Sequence, residues 1–240
     1  APTQSYILKT SRHTIVIDTC TGNHKRHDTL WPQWHRRTDF TWLEDLAKAG
    51  VDPQSVDYVF CTHMHVDHVG WNTQLIDGRW VPSFPNARYI FAKQELQWAE
   101  AQVEKGDWTF EESVAPILDA GLAEIVDTDY ALNDNIWLEP HPGHTPAHCA
   151  VRMRSRGENA VMSGDLIHHP IQLAHPEWSP FYDDDPDLAR ITRRRFLEEQ
   201  ADKDILVMTA HFPLPSVGHV LSKKDAFAFR YADDVGTVHG

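Results

Sequence analysis

The chain has 240 residues, 41% of them apolar and 24% charged, with a net charge of −13 and a pI near 5.6. That length allows a substantial core and the composition excludes a disordered or fibrous protein, while the acid excess disfavours nucleic acid, whose phosphates are bound through Lys and Arg. Histidine is the outlier at 16 residues, and only their placement can make them informative.

Short, mostly β-branched apolar runs bounded by turn formers predict strands in "SYILKT", "TIVIDTC", "VDYVFCT", "ARYIFA", "AEIVDT", "NIWLEP", "HCAVRM", "NAVMSGD" and "DILVMTAH". Helical patterns lie between them. "TDFTWLEDLAKAG" opens on a Thr/Asp cap and closes on Gly50, and "AKQELQWAEAQVEKG" closes on Gly106. "DPDLARITRRRFLEEQAD" places Leu188, Ile191, Phe196 and Leu197 among charges, as a surface helix does, with Asp185 or Asp187 near its cap and its arginines on a solvated face. Asp77-Gly78 in "IDGRW" is a hairpin turn signal. Early antiparallel-looking strands with interspersed helices suggest an α/β protein, sheets covered by helices, in one domain over residues 1–240.

The three cysteines, Cys20, Cys61 and Cys149, are far apart and form no CxxC pair, so they read as small buried hydrophobes. No apolar stretch approaches the roughly 20 residues of a membrane helix, so no membrane partner is expected. The N-terminal "APTQSYILKT" has neither an initiator Met nor a signal-peptide core, which fits a processed or truncated chain. A cytoplasmic location is the expectation.

"CTHMHVDHVG" puts His63, His65, Asp67 and His68 directly after the apolar "VDYVF". Four polar side chains at the end of a buried strand are costly to desolvate without a partner. The two-residue period turns His63 and His65 to one side of an extended segment, and adjacent Asp67 and His68 can point together in a turn, so the stretch offers two half-sites for metal. More ligand types follow at the ends of later apolar runs: His141, His144 and His148 in "HPGHTPAHC", Asp165, His168 and His169 in "SGDLIHHP", and His211 in "TAHFPLP".

These four motifs, in this order, resemble the metallo-β-lactamase superfamily of hydrolases. "THMHVDH" is similar to its HxHxDH motif, "PGHTPAH" to its second histidine loop, "SGDLIH" to its bridging-aspartate turn and "TAHFP" to its final histidine. The likeness implies an αββα sandwich, two mixed β-sheets flanked by helices. The chain starts abruptly for that fold, which usually has strands before the equivalent of "TIVIDT", so an N-terminal segment is expected to be missing. By the resemblance, His63, His65 and His144 bind one divalent ion, Asp67, His68 and His211 bind a second, and Asp165 bridges them. Zinc is the expected metal, with Mn, Fe or Co suited to the same donors. His148 is a candidate to hold a ligand from behind, while His141 and His169 carry no assigned role.

Two such ions sharing a water would generate a hydroxide nucleophile, which implies hydrolysis of a small ester, most readily a lactone. Asp67 is a candidate for handling the proton. Lactonases resembling this pattern carry a tyrosine three residues after the bridging aspartate. Here the position is His168, as in enzymes resembling the methyl parathion hydrolase group, and a histidine suits protonation of a leaving group. That makes phosphotriester or aryl-ester cleavage the competing activity.

Aromatic residues in predicted loops, Trp31 and Trp34, Trp71, and Trp178 with Phe181 and Tyr182, suit the walls of an apolar substrate pocket or a homodimer contact. Trp71, Trp178, Phe181 and Tyr182 are the substrate-binding candidates. A non-catalytic metal-binding scaffold is the reading from another class, and an intact ligand set argues against it. Asp165 stands where antibiotic-cleaving members typically have Cys or Ser, which argues against β-lactam cleavage.

Overall fold

The expected apolar runs all form strands, and the computed structural model shows how they assemble, describing residues 2–27 and 31–232. Contacts divide the described chain into two compact units, residues 5–126 and residues 127–232 with 2–4.

The first unit runs β1 (Tyr6–Lys9), β2 (Thr14–Ile17), α1 (Thr41–Lys48), β3 (Tyr58–Phe60), α2 (Val66–Val69), β4 (Thr73–Ile76), β5 (Arg79–Pro82), β6 (Arg88–Ala92), α3 (Lys93–Gln102), α4 (Ala115–Asp119) and β7 (Ala123–Val126). Its sheet has the order β1-β2-β3-β6-β7. Only β1 and β2 are antiparallel; β2, β3, β6 and β7 pair in parallel. The early strands are therefore mostly parallel rather than antiparallel, because the connections carry helices and return the chain to the same edge. Val16, Val59, Tyr89 and Phe91 pack with Leu46 of α1, Ala99 of α3 and Ile117 of α4 in one apolar core.

Local signals hold where they were strongest. Gly50 and Gly106 follow their helices with φ of +66° and +83°; the cap of α1, however, is Phe40 without a side-chain capping bond, and Asp39, one residue earlier, accepts from the Thr41 N–H (3.0 Å) and hydroxyl (2.6 Å). β4 and β5 form the hairpin around Asp77 and Gly78, both with positive φ.

The second unit runs β8 (Ala131–Asn133), β9 (Ile136–Pro140), β10 (Cys149–Ser155), β11 (Glu158–Met162), α5 (Ile171–Ala174), α6 (Pro186–Gln200), β12 (Ile205–Met208), β13 (Val217–Lys223) and β14 (Ala226–Tyr231). The sheet order is β14-β13-β12-β11-β10-β9-β8, with β11 and β12 parallel and the other pairs antiparallel. Both sheets are thus mixed, as expected. Phe196 and Leu197 of α6 pack on Ala150, Val161, Val207 and Val220.

α6 corrects the sequence reading. Asp185 caps it, accepting from the Leu188 N–H at 3.0 Å, but Leu188 and Ile191 are exposed and the buried face is Ala189, Thr192, Arg193, Phe196, Leu197 and Gln200. Arg193, expected on a solvated face, is 1% exposed. Hydropathy misassigns it because its cost of burial is met by hydrogen bonds that residue type alone does not reveal. No helix among the described residues is long and apolar enough to cross a membrane.

Candidate metal centre

In the first unit β3 ends at Phe60 and releases the chain into the extended segment and short turn of "THMHVDH". His63 and His65 lie on one side of it, with His63 Nε2 and His65 Nδ1 3.0 Å apart. Asp18, at the end of β2, organises the stretch from beneath. Its carboxylate accepts from the Thr62 N–H and hydroxyl, both at 2.8 Å, and from His68 Nδ1 at 2.7 Å. The Thr62 hydroxyl, having given its proton to Asp18, accepts from His63 Nδ1 at 3.1 Å. Asp67 Oδ1 stands 4.0 Å from His68 Nε2. Gly70 closes the segment against "DTCTG": a Cβ there would fall 1.9 Å from the Thr21 carbonyl oxygen, so no other residue fits.

In the second unit the bridging candidate Asp165 sits in a 3-10 turn just after β11. His144 Nε2 and His168 Nε2 lie 3.2 and 3.1 Å from Asp165 Oδ2, and His211 Nε2 lies 3.0 Å from Oδ1. The ligand atoms of Asp165, His168 and His211 all lie within 4.8 Å of one another. His148 is completely buried and accepts from the Asp165 N–H at 2.9 Å, so it holds the turn of that carboxylate. The loop of His144 is pinned to the start of α6, where Asp184 and Asp185 donate backbone N–H groups to the His144 and Gly143 carbonyls.

The donor chemistry can be tested against a metal. His63, His68, His144 and His211 each engage Nδ1 with an oxygen, of Thr62, Asp18, Asp183 (2.8 Å) and the Pro2 carbonyl (2.8 Å) respectively. A carbonyl or carboxylate only accepts, and the Thr62 hydroxyl has its proton directed at Asp18, so each ring when neutral carries its proton on Nδ1 and a lone pair on Nε2. The lone pairs of His144 and His211 then face different oxygens of Asp165, acceptor against acceptor, which repels unless a cation lies between. A proton meets that need at His144: burial opposes a charge there, but Asp165 and Asp183 outweigh it and raise the pKa to about 9. A divalent cation meets it with more charge. The residues fit a metal.

His168 differs from these. Burial lowers its pKa, against the pull of Asp165, and its Nδ1 is buried with no hydrogen-bond partner among the described residues. Tyr182 packs edge-on against His168 with ring centroids 5.1 Å apart, and lies 6.0 Å from His144. Trp178 and Phe181 are exposed, Phe181 by 80%. Trp71 is 3% exposed and stacks on Trp42 at 5.7 Å, which is the packing of a core side chain. Trp31 and Trp34 stack on each other. His141 is buried against Glu139 (2.7 Å), and exposed His169 accepts the Ile171 N–H at the start of α5.

Sequence reasoning missed Asp18, Thr62, Asp183 and Arg193. The only local hint was a charged residue closing an apolar strand in "TIVIDT".

Comparison with known proteins agrees with this geometry. The family profile described as the metallo-beta-lactamase superfamily matches residues 1–211. The N-acyl homoserine lactonase AiiA of Bacillus thuringiensis subsp. kurstaki is 24% identical over 220 residues, 88% of this chain and 81% of that one. Among solved structures, AidC, a dizinc quorum-quenching lactonase in complex with a product, aligns with a TM-score of 0.79 and 26% identity, covering 97% of this chain and 80% of that one. The hydrolase AbOPH of the beta lactamase superfamily shares the fold, with a TM-score of 0.81, 22% identity and the same coverage. With that profile spanning most of its length and this histidine and aspartate set behind it, the chain belongs to the metallo-beta-lactamase superfamily and is a metal-dependent hydrolase.

Proposed function

We propose that the chain, working as one hydrolase domain, cleaves a small carboxylic ester, most readily a lactone, at a centre of two divalent ions. The observation that carries the reading is the carboxylate of Asp165, whose two oxygens face imidazole nitrogens of different histidines, His144 and His211. By this reading His63, His65 and His144 would hold one ion, Asp67, His68 and His211 the other, and Asp165 would join them. Zinc is the favoured metal, in keeping with the dizinc lactonase AidC; Mn, Fe and Co suit the same donors. Such a pair supplies polarisation of the scissile carbonyl and a water of lowered pKa.

The chain's own groups do the rest. Asp18 and Asp183 hold His68 and His144 by Nδ1 and keep their Nε2 atoms aimed. Asp67 is proposed to take up the proton released by water. His168, with Nε2 at Asp165 Oδ2, is proposed to pass a proton to the leaving alkoxide. Tyr182, Trp178 and Phe181 would meet the apolar part of the substrate, and Trp71 would act only through the packing it supports. Lactone as the substrate class is supported by the names of the relatives at 24% and 26% identity. A reading as aryl esterase or phosphotriesterase is favoured by His168, which replaces the tyrosine of the resembling lactonases. A cytoplasmic location and a homodimer complete the proposal.

Metal analysis and a substrate panel test it together. Purified chain should carry about two transition-metal ions, and chelation should abolish hydrolysis of acyl lactones. Aryl esters or phosphotriesters turned over far faster than any lactone would replace the first reading by the second. A chain that takes up no metal would end both.

A further inference from the structure

We propose that Arg193 is a positioning residue that ties the aromatic segment 176–182 to the His144–Asp165 half of the metal centre, so that substrate wall and metal ligands are set by one guanidinium. The inference rests on that centre being the hydrolytic site.

Arg193 projects from α6 into the interior of the second unit. Its Nε donates to the Leu166 carbonyl at 2.7 Å, and its Nη1 donates to the Pro176 and Trp178 carbonyls at 3.0 and 2.8 Å. Its Nη2 donates to Asp183 Oδ2 at 3.4 Å, while Asp183 Oδ1 accepts from His144 Nδ1 at 2.8 Å. One planar cation therefore contacts the residue next to Asp165, the carboxylate that orients His144, and the backbone leading to Tyr182.

Burial of a guanidinium is expensive, and an aliphatic side chain would fill the same helix face without that cost. What an aliphatic chain cannot supply is a rigid fork of donors aimed in three directions. Lysine could satisfy one of them at a time. A second tie lies nearby: Gln172 accepts from the His168 N–H at 2.7 Å and donates to the Trp178 carbonyl at 2.9 Å. Gln172 thus holds the aromatic segment to His168, whereas Arg193 holds it to Asp183 and, through Asp183, to His144. The two ties can be cut separately.

The test uses the full chain with Arg193→Lys, Arg193→Met and Gln172→Ala. Three quantities are read: zinc affinity by competition with a chromophoric chelator, KM and kcat at saturating zinc on an ester the parent chain cleaves, and thermal unfolding. Arg193→Lys should weaken one zinc by about 10–100-fold, the range for losing a group that orients a ligand, and should raise KM as well. Gln172→Ala should raise KM while zinc affinity stays within about twofold. If the Arg193 variants lose only thermal stability, keeping parental zinc affinity and KM, the residue is a structural staple and the proposal is overturned. Should neither Arg193 variant fold, Asp183→Asn leaves the three carbonyl bonds in place and alters both bonds of Asp183, to Arg193 and to His144, so that KM at saturating zinc is the readout of the tie to the aromatic segment. Weaker zinc together with a higher KM then supports the coupling, and weaker zinc with unchanged KM refutes it. A parent chain that binds no zinc would remove the proposed function as well; a parent that binds and hydrolyses beside an indistinguishable Arg193→Lys removes this inference alone.

Discussion

His144 donates from Nδ1 to Asp183 Oδ1 at 2.8 Å across 39 residues of sequence, and this bond leaves Nε2 as the nitrogen that would meet the proposed metal. Asp183→Asn should keep the fold but weaken metal binding by about 10–100-fold. At saturating substrate, kcat measured at limiting zinc should fall and return with excess zinc. A kcat that stays low at every zinc concentration would mean Asp183 does something other than orient a ligand.

Asp18 gathers three buried donors, the Thr62 N–H and hydroxyl and His68 Nδ1, at a backbone φ of +55°. Asp18→Ala leaves these donors unsatisfied, at roughly 1–3 kcal/mol each before relaxation, and alanine tolerates that φ less well than Asp or Asn. Urea unfolding should show a loss of at least ~2 kcal/mol for Asp18→Ala and a smaller one for Asp18→Asn. Equal losses in the two would point to charge rather than hydrogen bonding.

Gly143 precedes His144 with φ +133°, and a Cβ there would fall 2.4 Å from the Ala189 backbone nitrogen. Gly143→Ala must therefore push the His144 loop off α6. Metal content should drop together with the melting temperature. Gly157→Ala makes a useful control: its φ is also positive but nothing lies within 4 Å of the added Cβ, so it should cost about 1 kcal/mol and leave metal content unchanged.

Trp71 and Phe181 separate packing from substrate contact. Trp71→Ala removes a buried ring stacked on Trp42 and should cost about 3–5 kcal/mol, with Trp71→Phe milder. Phe181, 80% exposed, should change stability by less than about 0.5 kcal/mol as Ala, so any effect should appear in KM. Denaturation and steady-state kinetics on the same preparations decide the matter.

Acid should act through Glu139. Burial alone would raise its pKa, but hydrogen bonds from His141 and Arg152 prevail and hold it at about 2, below its ordinary 4.5. A carboxylate depressed in the folded state contributes stability that is present above about pH 4.5 and lost as pH falls through about 2. Glu139→Gln should flatten the decline of stability within that window. An acid-unfolding curve that keeps its parental slope would assign the acid sensitivity to other groups.

No apolar run predicts β8, β13 or β14, and the last two show where local reading runs out. They follow the last motif, and His219 and Gly218 interrupt the β-branched pattern by which the other strands were recognised. Trp71 and Arg193 fail for the opposite reason. An aromatic beside a metal motif reads as a pocket wall and an arginine in a basic run reads as solvated, yet Trp42 and the carbonyls of Leu166, Pro176 and Trp178 make both burials favourable. Those partners are 15 to 29 residues away in sequence, beyond the reach of any helical or strand periodicity.

Local sequence was enough for the strands with uniform β-branched runs, the hairpin at Asp77-Gly78, the C-terminal ends of α1 and α3, and the spacing of "HMHVDH". Each depends on backbone preferences and side-chain periods that act within a few residues. Which imidazole nitrogen faces inward, the bond from the Asp165 N–H to His148, and the placing of Asp18, Asp183 and Arg193 behind the proposed ligands come from the three-dimensional fold alone. A hydrogen bond needs its two atoms about 3 Å apart in space and is indifferent to their separation along the chain, so these choices exist only once the sheets and α6 have brought distant residues together.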